Sequence, residues 1–220
     1  MKLKKALYLS ENMDRIARRD RVFLNNPVVM QGMGLAPLVV AATTGRNALM
    51  LCVAVLIMLT PTRVIAAVLS RAAVYRFRAL TYCLTSSSSL TYIAAYYAVR
   101  ALFDVEYLQL GIYLPMLVVE PLIIKRYERP QKERVSVAFK KGLRITCGYA
   151  LILLLMGCLR EVLAARAIFG MPLEGLPWAL LPIASLPAGG FILLGVVCAV
   201  WRSAVNAYKK HVNMEAKRGV

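Results

Sequence analysis

The chain has 220 residues, 60% of them hydrophobic and only 18% charged, with a mean hydropathy of +0.61. That is more apolar surface than one soluble core of this size can bury, so a water-soluble enzyme or binding domain is excluded as the overall class and lipid is the expected solvent. The formal net charge of +17 comes from 28 Lys and Arg against 11 Asp and Glu.

A bilayer core about 30 Å thick takes roughly 20 apolar residues in a helix. Six stretches approach that length: Val22–Thr44, Ala48–Leu69, Ala79–Leu102, Val105–Ile124, Leu143–Ala164 and Leu186–Val205. They predict an all-α, polytopic membrane protein. Ahead of them, residues 1–21 read as a basic interfacial arm. The apolar run after Lys5 is broken by Ser10-Glu11-Asn12 and Asp14-Arg15, too soon for a signal peptide.

The first span opens on Asn25-Asn26-Pro27, helix-start chemistry with an amide cap and an early proline. It then meets Gly32, Gly34 and Pro37, so a break is predicted near Gly34-Leu35-Ala36-Pro37. The third span carries Thr85-Ser86-Ser87-Ser88-Ser89, whose hydroxyls suit hydrogen bonds between helices or a polar pore lining. The fourth is interrupted at Gly111-Ile112-Tyr113-Leu114-Pro115 and again at Val119-Glu120-Pro121.

The fifth span ends on Arg160-Glu161, which form an ion pair at its outer end or contact a partner subunit. Adjacent helical residues point in different directions, so packing against a partner is the expected use. Phe169–Gly190, with Pro172, Pro177, Pro182 and Pro187, reads as an extracytoplasmic loop with a short interfacial piece around Trp178. The sixth span is followed by a tail at 209–220.

Basic residues near span ends stay on the cytoplasmic side. The arm, the second-to-third connection, the fourth-to-fifth connection and the tail hold 24 of the 28 Lys and Arg. The alternate connections hold Arg46, Arg100, Arg160 and Arg166, offset by Asp104, Glu106, Glu161 and Glu174. Six spans with both termini cytoplasmic satisfy this asymmetry. The positive excess then faces anionic lipid headgroups, and no nucleic-acid partner is needed to explain it.

Self-contained catalysis has no support. The one histidine, His211, lies in the tail, and there is no P-loop, Gly-x-Ser-x-Gly or His-Glu-x-x-His. Cys52, Cys83, Cys147, Cys158 and Cys198 are scattered as packing residues, without metal-binding spacing. No catalytic or metal-binding residue is assigned.

Three spans per half make two inverted repeats, about 22–103 and 104–208, within one membrane domain at 22–208. Interruptions at matching places in such repeats point to a midplane site. The candidates are Gly34, Ala36, Pro37, Gly111, Pro115, Glu120 and Pro121. The plainer alternative is that these prolines only shape packing. Glu120 either takes a cation or proton within the span, or pairs with Lys125 or Arg126 a turn away.

Asn26-Pro27-Val28 with Gly34-Leu35-Ala36-Pro37, Thr44 with Asn47-Ala48-Leu49, Gly111 to Pro115, Gly157-Cys158-Leu159-Arg160-Glu161, and Leu186-Pro187 with Gly189-Gly190-Phe191 form a recurring set. Through it the chain resembles the paired membrane subunits of the Rnf and Nqr ion-translocating redox complexes. Its cytoplasmic N-terminus and Ile168-Phe169-Gly170 look more like the E subunit of Rnf, equivalent to the D subunit of Nqr, than like the inverted partner, the A subunit of Rnf.

The resemblance implies an inverted homologous partner and an iron–sulfur cluster held by cysteines at the breaks. The family motif reads Gly-Leu-Cys-Pro in the first span and Asn-Cys in the fourth. This chain has Ala36 and Pro121 at the cysteine positions, so no cluster is assigned to it alone. Three readings remain: a non-catalytic membrane subunit of a redox-driven translocase, a redox-inactive structural paralogue, and an independent ion or solute transporter using Glu120 and the broken spans.

Overall fold

The computed structural model describes residues 8–72, 77–124, 134–173 and 181–217; Asp14, Arg18, Ala66, Pro121, Ile124 and the residues at 69–72 and 77–87 are described in backbone only. The expected interfacial piece around Trp178 and the basic residues Lys125, Arg126, Arg129 and Lys132 lie outside the described residues.

Chain order gives α1 (Met13–Arg19), a π-helical turn (Pro37–Ala41), α2 (Gly45–Ala72), α3 (Phe77–Phe103), a 3-10 turn (Asp104–Leu110), α4 (Tyr113–Met116), a 3-10 turn (Leu117–Val119), α5 (Pro121–Ile124), α6 (Val135–Ala165), a hairpin of β1 (Ala167–Ile168) and β2 (Met171–Pro172), a 3-10 turn (Pro182–Ser185) and α7 (Pro187–Lys217). The hairpin is antiparallel, with Ala167 opposite Pro172 and Ile168 opposite Met171.

Among the described residues, three helices are long and apolar enough to cross a bilayer: Gly45–Ile65, Val135–Ala165 and Pro187–Lys217. A fourth is added if Ser88–Leu110 and Tyr113–Val119, bent by 98° against each other, count as one span. The protein is therefore a mostly helical membrane protein. Two helices run beyond the predicted spans. α6 begins at Val135 rather than Leu143, carrying Lys140, Lys141 and Arg144 on its first turns, and α7 continues through most of the expected tail to Lys217.

Neither the first nor the fourth predicted span is a continuous α-helix. After α1, the Asp20 carboxylate accepts the backbone N–H of Val22, Phe23 and Leu24 at 2.9, 3.1 and 3.3 Å, folding the chain into turns. One helical turn comes next, with Met30 N–H on the Asn26 carbonyl and Gly32 N–H on Val28, and it closes when Met33 N–H reaches back to Pro27. That closure has the form of a helix C-terminus and uses Gly32 at φ +64°. Gly34 repeats the left-handed conformation at φ +74°, which glycine alone adopts without penalty. Pro37 sits in the first turn of the π-helical piece, where its missing N–H costs nothing. The proline thus starts the second half of the segment, and the glycines make the break.

The antiparallel layout is fixed by contacts of known register. The Cys52 thiol donates to the Ala150 carbonyl, and Thr60 and Thr146 bring their hydroxyls to 3.5 Å, so α2 and α6 run in opposite directions. Thr62 and Thr91 pair hydroxyls at 2.8 Å, and Arg46 pairs with Glu106, which orients α3 the same way against α2. α7 starts against Arg160 near the end of α6 and brings Trp201 back to Phe23, so it runs parallel to α2.

Small residues set the helix spacing. A Cβ on Gly157 would lie 2.6 Å from the Ala48 Cβ and 2.7 Å from the Thr44 carbonyl, so α6 meets the start of α2 nearly backbone to backbone. The core formed there includes Leu38, Met50, Leu51, Met58, Leu59, Tyr149, Ile152 and Met156.

Candidate functional site

Three residues of α6 hold the broken first segment at successive heights. Asn26, fully buried, donates its amide N–H to the Gly148 carbonyl at 2.8 Å and to Val22 at 2.9 Å, while its side-chain oxygen accepts the Val28 N–H at 3.0 Å. Tyr149, also fully buried, donates its hydroxyl to the Gly34 carbonyl at 2.9 Å. About three helical turns on, Arg160 reaches the end of the π-helical turn.

Arg160 has no exposed surface, and all five of its N–H groups meet carbonyls. Nε donates to Ala184 at 2.7 Å; one terminal nitrogen donates to Val39 at 2.7 Å and Ala42 at 3.1 Å; the other donates to Ser185 at 3.0 Å and Leu186 at 3.3 Å. These carbonyls belong to a π-helical turn and a 3-10 turn, which leave acceptors free at their C-terminal ends. The guanidinium therefore joins the second half of the first segment to the approach of α7.

Glu161 points the other way. One carboxylate oxygen accepts the N–H of Gly45 at 2.8 Å and of Phe169 at 3.0 Å, and the other accepts Gly170 at 2.7 Å. A carboxylate at the first residue of α2 also faces the positive end of that helix. Arg160 and Glu161, expected to contact a partner, diverge as neighbouring helical residues should, and each meets backbone groups of its own chain.

The two predicted breaks meet. Glu120 comes directly after the 3-10 turn with an extended backbone (ψ 132°), and its side chain is only 7% exposed. Its carboxylate lies close to the Gly34 backbone and near the Tyr149 hydroxyl. Among the described residues no Lys or Arg pairs with it. Ser88, from the predicted hydroxyl run, is fully buried and donates to the Val118 carbonyl at 3.1 Å, bracing the turn that presents Glu120. The side chains of Thr85, Ser86 and Ser87 lie outside the described residues.

The other candidates take different places. Ala36 is half-buried at the entry to the π-helical turn, and Pro37 is buried as its first residue. Gly111, at φ +48°, makes the sharp bend after the 3-10 turn, and both it and Pro115 are exposed. Pro121 opens α5. Sequence reasoning passed over Tyr149, Asn26 as a cross-link to α6, and Gly148. A tyrosine in the middle of an apolar run was the available signal, since a buried hydroxyl needs an acceptor.

An iron–sulfur centre needs thiolates or imidazoles converging on the metal. Ala36 has no donor atom and proline has none in its side chain, so the residues at these two positions do not fit one. Among the described residues no three His, Cys, Asp or Glu side chains come together to hold a metal ion.

Comparison with known proteins gives a consistent set of relatives. The model of the family described as "Rnf-Nqr subunit, membrane protein" matches residues 17–198. The E subunit of the proton-translocating ferredoxin:NAD(+) oxidoreductase complex of Clostridium ljungdahlii is 29% identical over 188 residues, covering 85% of both chains. The E subunit of the ion-translocating oxidoreductase complex of Shewanella oneidensis is 31% identical, covering 80% of this chain and 81% of its own. Its counterpart in Thioalkalivibrio sulfidiphilus is 31% identical, covering 80% and 82%.

Proposed function

The chain belongs to the Rnf-Nqr family of membrane subunits, and we propose that it serves as the E-subunit counterpart in an ion-translocating electron-transport complex, without cluster ligands of its own. The observation that carries this reading is similarity to E-subunit proteins over four fifths or more of both chains. The chain contributes a membrane scaffold and a site at its broken segments rather than self-contained catalysis.

In this reading the chain has six membrane segments in two inverted halves, with the first and fourth segments built from short pieces. The helix directions support it. The start of α2, the ends of α3 and α6 and the start of α7 share one end, and that end carries the charge-poor connections. At the other end, Ser10 donates to the Asn213 side chain at 3.2 Å, which brings the N-terminal arm beside the end of α7. Both termini then lie on the basic, cytoplasmic side, against anionic lipid.

The partners are an inverted homologous membrane subunit and the remaining subunits of the complex. Exposed Phe191, Ile192, Val196 and Val200 on α7 give an apolar face suited to lipid or to such a partner. Ala36 and Pro121 favour a second reading, a structural subunit that retains the fold while electrons pass elsewhere. Membrane vesicles with and without the chain, energised by an electron donor, test the first: the ion gradient formed in its presence should fall to background in its absence. An undiminished gradient would contradict a coupling role and leave the structural one.

A further inference from the structure

We propose that Glu120 is a proton-binding site formed where the two broken segments meet, with the Gly34 backbone and the Tyr149 hydroxyl as its polar wall. The inference rests on the reading that residues 105–124 lie within the membrane; it does not depend on which subunits accompany the chain.

The geometry supplies the argument. A carboxylate 7% exposed within a membrane segment, with no described Lys or Arg paired to it, carries a charge that its surroundings only partly compensate. Leu117, Leu122 and Ile123, each 1% exposed beside it, offer nothing to a charge. The carboxyl can therefore stand neutral among apolar neighbours or ionised beside the Gly34 backbone.

A metal cation fits less well. Hard cations need about six oxygens, and the groups near Glu120 supply few: the Tyr149 hydroxyl and the Gly34 backbone. The Gly34 carbonyl is already engaged by Tyr149. A proton needs one oxygen.

The titratable groups beside it are few. Tyr149 of α6 lies near it, and Cys52 of α2 lies near Tyr149. Lys125 and Arg126 come next on its own segment, outside the described residues.

Dicyclohexylcarbodiimide, an apolar reagent, tests the site in native membranes. It reacts with a carboxyl that carries its proton: the proton moves to a carbodiimide nitrogen, the carboxylate oxygen bonds to the central carbon, and acyl migration leaves a stable N-acylurea. Peptide mass spectrometry should find that adduct on Glu120 at acidic pH, unchanged by sodium. Its yield should fall about tenfold per pH unit once the carboxyl ionises. Glu120→Gln should lose the adduct, and Glu120→Asp should keep it. Absence of the adduct at every pH, with the peptide detected, would overturn the proposal. Protection by sodium at fixed pH would also overturn it, in favour of a cation site.

Discussion

Tyr149 and Gly34, 115 positions apart in sequence, share a buried hydrogen bond of 2.9 Å that ties the middle of α6 to the break in the first segment. Gly34 is in the left-handed conformation, so its carbonyl points away from any regular helical partner. The tyrosine hydroxyl replaces the missing partner, and the break is held as a fixed shape.

Tyr149→Phe removes only the hydroxyl and leaves that carbonyl buried without a donor. A loss of about 1–3 kcal/mol is expected from the unsatisfied acceptor. Amide hydrogen exchange across residues 33–42 in detergent should speed up, while exchange in the middle of α2 should not. Equal protection in the variant would show that the bond does not hold the break.

Arg160 makes a sharper case, because five carbonyls depend on one guanidinium. Arg160→Met should cost about 3–5 kcal/mol, the usual consequence of leaving a buried polar network without its charge. Arg160→Lys keeps the charge but not the planar fork, so it should recover only part of the loss. Thermal unfolding in detergent should rank the three proteins wild type, Lys, Met.

Glu161→Ala should release two elements together. The first amide of α2 and both turn amides of the β1–β2 hairpin share its carboxylate. Limited proteolysis should cut the variant at 166–172 well before the wild type. Cleavage at the same rate in both would refute the shared anchor.

Gly157 tests helix spacing. Gly157→Ala places a methyl against the Ala48 Cβ and the Thr44 carbonyl. Overpacking of this kind typically costs about 1–3 kcal/mol. Gly195→Ala, where a Cβ meets nothing within 4 Å, is the control and should leave the unfolding temperature unchanged or slightly higher.

That the chain is a mostly helical membrane protein was legible in apolar run length, because the bilayer itself imposes that length. Apolar length could not say that Val22–Thr44 and Val105–Ile124 fold as short pieces, since a run of nonpolar residues reads the same whether its backbone is helical or turned. Gly34 and Pro37 announced an interruption. Only the folded backbone separates their roles, with glycine making the break and proline beginning the π-helical turn after it.

Glu120 could be singled out as an ionisable residue in an apolar run, but its meeting with Gly34 is a contact between the two halves of the chain, and local spacing carries no such information. Arg160 and Glu161 were hidden for a related reason: charges beside a span end suggest a surface contact, and sequence cannot reveal that eight backbone groups of the same chain converge on them.

The central claim, membership of a multi-subunit Rnf/Nqr-type complex, is tested most directly by isolating the tagged chain from its native membrane in mild detergent. Isotope-calibrated mass spectrometry then gives the amount of each protein recovered per chain. The account predicts an inverted homologous subunit and further Rnf- or Nqr-like subunits in fixed proportion to the chain through successive purification steps. Recovery of the chain alone, or with unrelated proteins in varying amounts, would contradict it.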